Sequence, residues 1–129
     1  MKYIGFIKEY NKIPESFSLN EYKSKQNYAN EEKEKILHYL KKGDVILTWM
    51  GVFLDLDNNN FIGPQIYYTD GEWIWPLYLI YYLEKEIFFD LEEEFTNYLK
   101  ERKYKLNILS EEKLREIEYD FSDKLERYL

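Results

Sequence analysis

Cysteine is absent from this 129-residue chain, so it can form no disulfide, no thiolate metal site and no thiol nucleophile. Histidine is nearly absent as well. His38 stands alone, which removes the material for a serine–histidine triad or a histidine-ligated metal. It falls in a helical stretch between Leu37 and Tyr39 and reads as a half-exposed packing residue. The five glycines are scattered singly, so no glycine-rich phosphate loop exists. The longest apolar runs, near 45–54 and 73–83, fall short of the ~20 residues of a membrane-spanning helix. The N-terminal "MKYIGFIKEYNKIPE" carries Lys2, Lys8 and Glu9 where a signal peptide needs an apolar core. The expectation is therefore a single domain over residues 1–129, cytoplasmic, not an enzyme, with no metal or cofactor and no membrane contact.

Positive charge is what the middle of the chain lacks. The formal net charge is −7, but residues 44–94 carry eleven acidic side chains against one basic, Lys85. Residues 1–43 and 95–109 are each +3, and 110–129 is −3. A field of that sign repels nucleic acid and attracts basic partners. "KERKYK" (100–105) is a small basic cluster, but it closes a helix, where cations suit the dipole.

Rings are what the chain has in excess: fourteen tyrosines, eight phenylalanines and three tryptophans. Residues 67–86, "YYTDGEWIWPLYLIYYLEKE", set seven of them among Asp70, Glu72, Glu84 and Glu86. The surrounding pattern predicts an α+β fold: an antiparallel β-meander plus an N-terminal strand, with helices packed on one face. "KYIGFIK" (2–8) alternates as a strand does. After it, Pro14 and its polar followers read as a loop. Residues 29–43 read as a helix capped by Asn30, stopped at Gly43 and buried through Ile36, Leu37 and Leu40. "DVILTWMGVFLDL" (44–56) predicts a long strand bent or bulged at Gly51, and "DNNN" (57–60) turns it back into 61–69, interrupted at Gly63-Pro64. Asp70-Gly71 is a hairpin signal pairing 72–75 with 66–69. Pro76 suits the first turn of the next helix. Asp90 with Glu93 predicts a capping pair for a helix over 91–102. Ser110 opens a last helix whose apolar positions are Leu114, Ile117, Phe121, Leu125 and Tyr128.

Trp75 and at least one of Tyr81 and Tyr82 are expected in the core, as aromatic area dominates core energetics. Strand alternation then argues that not every ring can be buried. If Trp73 and Trp75 point inward, Ile74 points out, and the reverse exposes two tryptophans. Some rings should therefore surface beside the carboxylates, the composition of a protein-binding patch.

Two constellations invite a chemical reading. "DLDNNNFI" places Asp55, Asp57 and Asn59 at calcium-loop positions, but Asn60 replaces the required glycine and Ile66 the closing glutamate. A turn between strands is the better reading. Asp70 and Glu72 could suggest a glycosidase pair, yet carboxylates at one tight turn project from its tip and do not face each other across a cleft.

The run Thr69-Asp70-Gly71, Trp73, Trp75-Pro76 and Tyr81-Tyr82, followed by "EEEF" (92–95), resembles a group of small bacterial proteins sharing that order of motifs. Several of these are similar to immunity proteins of contact-dependent and polymorphic toxin systems. The resemblance covers residues 36–99 and departs at "EIFFDLEEEF", where the pattern has a tyrosine and then a leucine-proline step. It implies an immunity protein whose partner is a cognate toxin domain. The acidic field makes a basic nuclease the natural target. Loop tips carry binding residues, so Asp55, Asp57, Asp70, Glu72 and Trp73 are the candidate contacts, with Glu92, Glu93 and Glu94 a second patch. The alternative is a small-molecule or carbohydrate-binding protein using the aromatic cluster, and a hydrolase working through Asp70 and Glu72 is the third reading.

Overall fold

The hairpin signals govern the architecture. The computed structural model describes residues 1–23, 28–86 and 89–129. β2 (Asp44–Leu54) and β3 (Phe61–Thr69) form a long antiparallel pair, and β3 returns through Asp70–Glu72 into β4 (Trp73–Pro76). β1 (Lys2–Tyr3) adds to β4 in parallel, giving the order β1-β4-β3-β2. The α+β class and the antiparallel meander are as the sequence predicts.

The N-terminal strand is shorter than expected over 2–8. Gly5 takes φ 75°, a left-handed conformation open to glycine, and the chain leaves the sheet there. A β-carbon at Gly5 would also overlap Leu79, so the turn and the close approach demand the same residue. Ile7 makes only a single parallel bridge, to Phe17. The segment expected as plain loop contains α1 (Leu19–Tyr22), closed by a reciprocal capping box between Ser18 and Glu21. β2 is bulged, with register shifts at Val45/Leu47 and at Trp49/Val52, the second around Gly51 at φ 108°.

The remaining helices are α2 (Asn30–Lys41), α3 (Leu77–Lys85), α4 (Glu93–Glu101) and α5 (Glu111–Arg127). Two expected caps are corrected. Asn30 is the first helical residue and Ala29 the cap, while Glu92, not Asp90, precedes α4; neither cap makes a side-chain bond. Asp90 instead donates its backbone N–H to the Tyr22 carbonyl. Ser110 does cap α5, accepting from the Lys113 N–H.

β4 resolves the alternation problem by being buried on both sides. All four of its residues are buried. Trp73 and Trp75 face α2 and α4: the Trp75 indole donates to the Leu40 carbonyl (3.1 Å), and Trp73 meets the Phe95 ring at 5.0 Å. Tyr68, opposite Trp75, stacks on it. Helices on one face is thus correct for α2 and α4, and α5 covers the other, where Phe121 packs against Tyr3, Phe6 and Tyr67. α3 leads straight on from β4, with Tyr78 against Tyr10 and Phe53. Trp75 and Tyr82 are wholly buried, as expected, and Tyr81 is half-buried.

Trp75 therefore joins the central strand to α2, and a β-carbon at Gly43 would overlap its ring. Replacing Trp75 with alanine empties the densest part of the core and should cost about 3–5 kcal/mol. Denaturant unfolding should show this as a lower midpoint; a midpoint within error of wild type would contradict the packing described.

Candidate functional site

Asp70, expected at an exposed turn tip, is buried at the centre of a hydrogen-bond knot. One carboxylate oxygen accepts the backbone N–H groups of Glu72 (2.9 Å) and Trp73 (2.8 Å). The other accepts the Tyr39 hydroxyl from α2 and the Tyr98 hydroxyl from α4 (2.8 Å). Arg102 in turn donates to the Tyr98 oxygen. Burial, and then the neighbouring carboxylate, push the Tyr39 and Tyr98 phenols well above the ordinary tyrosine range, so both remain donors. Thr69 completes the turn, accepting from the Gly71 N–H and donating to the Trp73 carbonyl (2.7 Å).

Asp55 is the second correction. It too is buried, accepting from the Tyr81 hydroxyl (2.6 Å), the Lys85 ammonium (2.8 Å) and the Asp57 N–H (2.8 Å). Burial works to raise its pKa, but these three donors prevail and bring it down to about 2. The lysine sits where a calcium loop would put its ion. Among the described residues no three His, Asp or Glu side chains converge as metal ligands would. Asp57 is exposed but ion-paired with Lys23 (3.1 Å) and Lys85 (3.6 Å).

Trp73 is the third. It is buried, with the Lys2 ammonium 5.5 Å from its ring centre, and its indole N–H has no partner among the described residues. Trp73, Trp75, Tyr78 and Tyr82 all lie in the core. Asp70 and Glu72 also part company: Glu72 is exposed and its neighbour is enclosed, so they do not form a catalytic pair.

The other expected contacts are exposed and gather on one side, around the β1 edge and the start of α4. Lys2 donates its backbone N–H to the Glu72 carbonyl and its ammonium to Glu94 (2.6 Å), which places both glutamates beside β1. A hollow of about 320 Å³ lies between Lys2, Glu15, Phe17, Trp73, Glu92 and Glu94. It adjoins a second of about 220 Å³ that shares Phe17 and Glu92 and adds Glu21, Tyr22 and Asp90. A polar cleft of about 560 Å³ continues past Asp90, Glu92 and Glu93 to Glu32 and Lys100. Burial, then Glu94 and Asp90, raise the Glu92 carboxyl above the usual range, a mark of crowded like charge. Three of the cations here are already engaged, Lys2 by Glu94, Lys100 by Glu32 and Lys124 by Glu15. Among the described residues Glu72, Asp90, Glu92 and Glu93 form no ion pair.

At the centre of this acidic surface stands Phe17, an exposed ring supported edge-on by Tyr22. The sequence reading passed over it as loop. The available signal was the "SLNE" capping box directly after it, which makes Phe17 the residue before the N-cap, packed on Tyr22 at the fourth helical position as a hydrophobic staple.

Comparison with known proteins yields no relative: no family profile, no curated protein and no solved structure matches this chain.

The two buried aspartates give two expectations. Asp70→Ala leaves two phenols and two N–H groups without an acceptor, at about 1–3 kcal/mol each, so the variant should lose at least ~3 kcal/mol of stability in denaturant titration. Asp55 acts through pH. Its carboxyl lies at about 2 in the fold against an ordinary 3.8, so it stabilises the protein above pH ~4 and ceases to as pH falls towards 2. The gap between wild type and Asp55→Asn should be about 2 kcal/mol or more at neutral pH. Equilibrium unfolding at a series of pH values should show it closing between ~4 and ~2; a gap that stays constant would refute the assignment.

Proposed function

We propose that this protein is a cytoplasmic immunity protein, not an enzyme, that neutralises a cognate toxin domain by binding it on the acidic surface around Phe17. The observation that carries the reading is the set of carboxylates that pair with no cation among the described residues, Glu72, Asp90, Glu92 and Glu93, gathered beside one exposed ring. Like charges held together raise each other's energy, and a cationic partner relieves that cost. A nuclease suits the role, because a surface built to hold phosphates presents cations that carboxylates can engage in their place. Phe17 supplies the apolar anchor that charge alone does not. The motif resemblance points the same way, although most of its shared residues, Asp70, Trp73, Trp75 and Tyr82, serve the core.

Buried Asp55 and Asp70 drop out as contacts, and ion-paired Asp57 contributes little. The partner-facing residues are then Phe17, Glu72, Asp90, Glu92 and Glu93, with Glu94 holding Lys2 in place.

Association with a basic toxin should slow as salt rises, since the screening length falls from about 10 Å at 0.1 M to about 3 Å at 1 M. Reversing Glu72, Glu92 and Glu93 to lysine should cut the association rate at least ~10-fold, and Phe17→Ala should speed dissociation. The matched reversal of Asp44, Glu112 and Glu116, none of which lines the hollows around Phe17, changes net charge equally. If both triple variants fold and protect toxin-exposed cells as wild type does, this surface is not the binding site. A chain that binds no toxin encoded beside it ends the immunity reading.

A further inference from the structure

We propose that the open β2 edge of the sheet is a docking surface for a second copy of this chain, the two β2 strands lying side by side about a two-fold axis. β2 ends the strand order, so among the described residues one side of its main chain has no neighbouring strand. Such an edge is a template for another strand, and soluble proteins usually guard it with charged side chains, above all lysine. Beyond Asp44 at its start, β2 has no such guard. No Asp, Glu, Lys or Arg occurs between Val45 and Leu54 or between Phe61 and Thr69, in a chain that is 33% charged.

The side chains at this edge are apolar and in the open. Met50 is 98% exposed and Phe61 65%, and Val52, Leu54 and Leu56 are exposed beside them. Leu54 pairs across the ladder with Phe61 and Val52 with Pro64, so they form one patch, while Phe53 between them turns into the core. Such a patch, on the order of several hundred Å², stands at the upper end of what a monomer leaves exposed. The bulge at Gly51 divides the edge into two runs but puts no charge in the way.

Charge identifies the occupant. The carboxylates of the acidic surface lie by β1, at the opposite edge, three strand spacings or about 14 Å away across the sheet. A basic partner gains nothing from an uncharged hairpin. Two copies at −7 each repel over most approaches and least at this edge, where each meets an identical uncharged surface. A two-fold interface is one patch used twice, so self-complementarity follows from symmetry. A standard interface buries about 800 Å² per partner, and the patch with its strand edge reaches that scale only in part. The dimer is accordingly a weak, concentration-dependent one.

Sedimentation equilibrium of the full chain, from micromolar to millimolar, should show a reversible monomer–dimer equilibrium that strengthens as salt screens the repulsion. That salt trend is opposite in sign to the one for the toxin, so the two readings fail separately. Met50→Lys and Val52→Lys should each weaken self-association at least ~10-fold, and together abolish it. Met50 touches solvent alone, so Met50→Glu, checked by circular dichroism, serves as a variant certain to keep its fold. A chain monomeric at millimolar concentration, or a dimer that survives Met50→Glu and the double lysine variant, would overturn the proposal. So would loss of toxin binding, with self-association intact, in the same variants.

Discussion

The Asp70 carboxylate is the contact on which the rest of the structure hangs. Through four hydrogen bonds it holds the turn between β3 and β4, the last turn of α2 and the middle of α4 at one point. Enclosing a carboxylate is costly unless its lone pairs are filled by well-placed donors, and then removal of any partner is costly instead. Charge-assisted bonds from two phenols and two N–H groups meet that condition. The consequence is geometric. Tyr39 and Tyr98 reach Asp70 from different helices, so α2 and α4 are fixed relative to each other and to β4, and Trp73 and Trp75 are closed in beneath them.

Asp55 does the same at the other end of β3. It ties the β2–β3 loop to α3 through Tyr81 and Lys85, and Tyr10 adds bonds to the Leu54 carbonyl and the Tyr82 hydroxyl. Rings and carboxylates are concentrated together in residues 67–86 for this reason. A tyrosine fills core volume with its ring and delivers one hydroxyl about 6.5 Å from its α-carbon, long enough to meet a carboxylate on another element. The mixture that composition alone suggests for a binding surface is in large part the interior.

What was legible in the sequence divides along that line. Local signals were enough for the β2–β3–β4 meander, the Asp70-Gly71 turn, the Ser110 cap and the burial of Trp75, because each depends on neighbours in the chain. The positions of Asp55, Asp70 and Trp73 were not legible, since an aspartate at a turn tip and one beneath a turn share the same local pattern. Only the arrival of Tyr39, Tyr98 and Tyr81 from distant elements distinguishes them. The strand expected over 2–8 gave way to Gly5, whose left-handed φ periodicity does not register. Asn30 and Asp90 lost their capping roles to neighbours for which propensity offered no hint. Of the candidate site, Glu72 and Glu92–Glu94 were correctly placed at the surface by their charge, whereas Phe17 stayed hidden among polar residues.

Folding the aromatic–carboxylate pairs inward also decides what the outside can do. Once Asp55 and Asp70 are enclosed and Asp57 is matched by lysines, the negative potential of the middle segment is no longer spread along it. Apart from Asp44 at the start of β2, it falls to Glu72, Asp90 and the Glu92–Glu94 run, which the parallel docking of β1 on β4 sets beside Phe17. The hairpin 45–69, whose acidic members are the Asp55 and Asp57 of its loop, keeps an uncharged ladder out to its edge. One sheet thus carries an acidic margin and an apolar margin on opposite sides. Since the two are separated by the width of four strands, a partner drawn by charge to the first leaves the second uncovered.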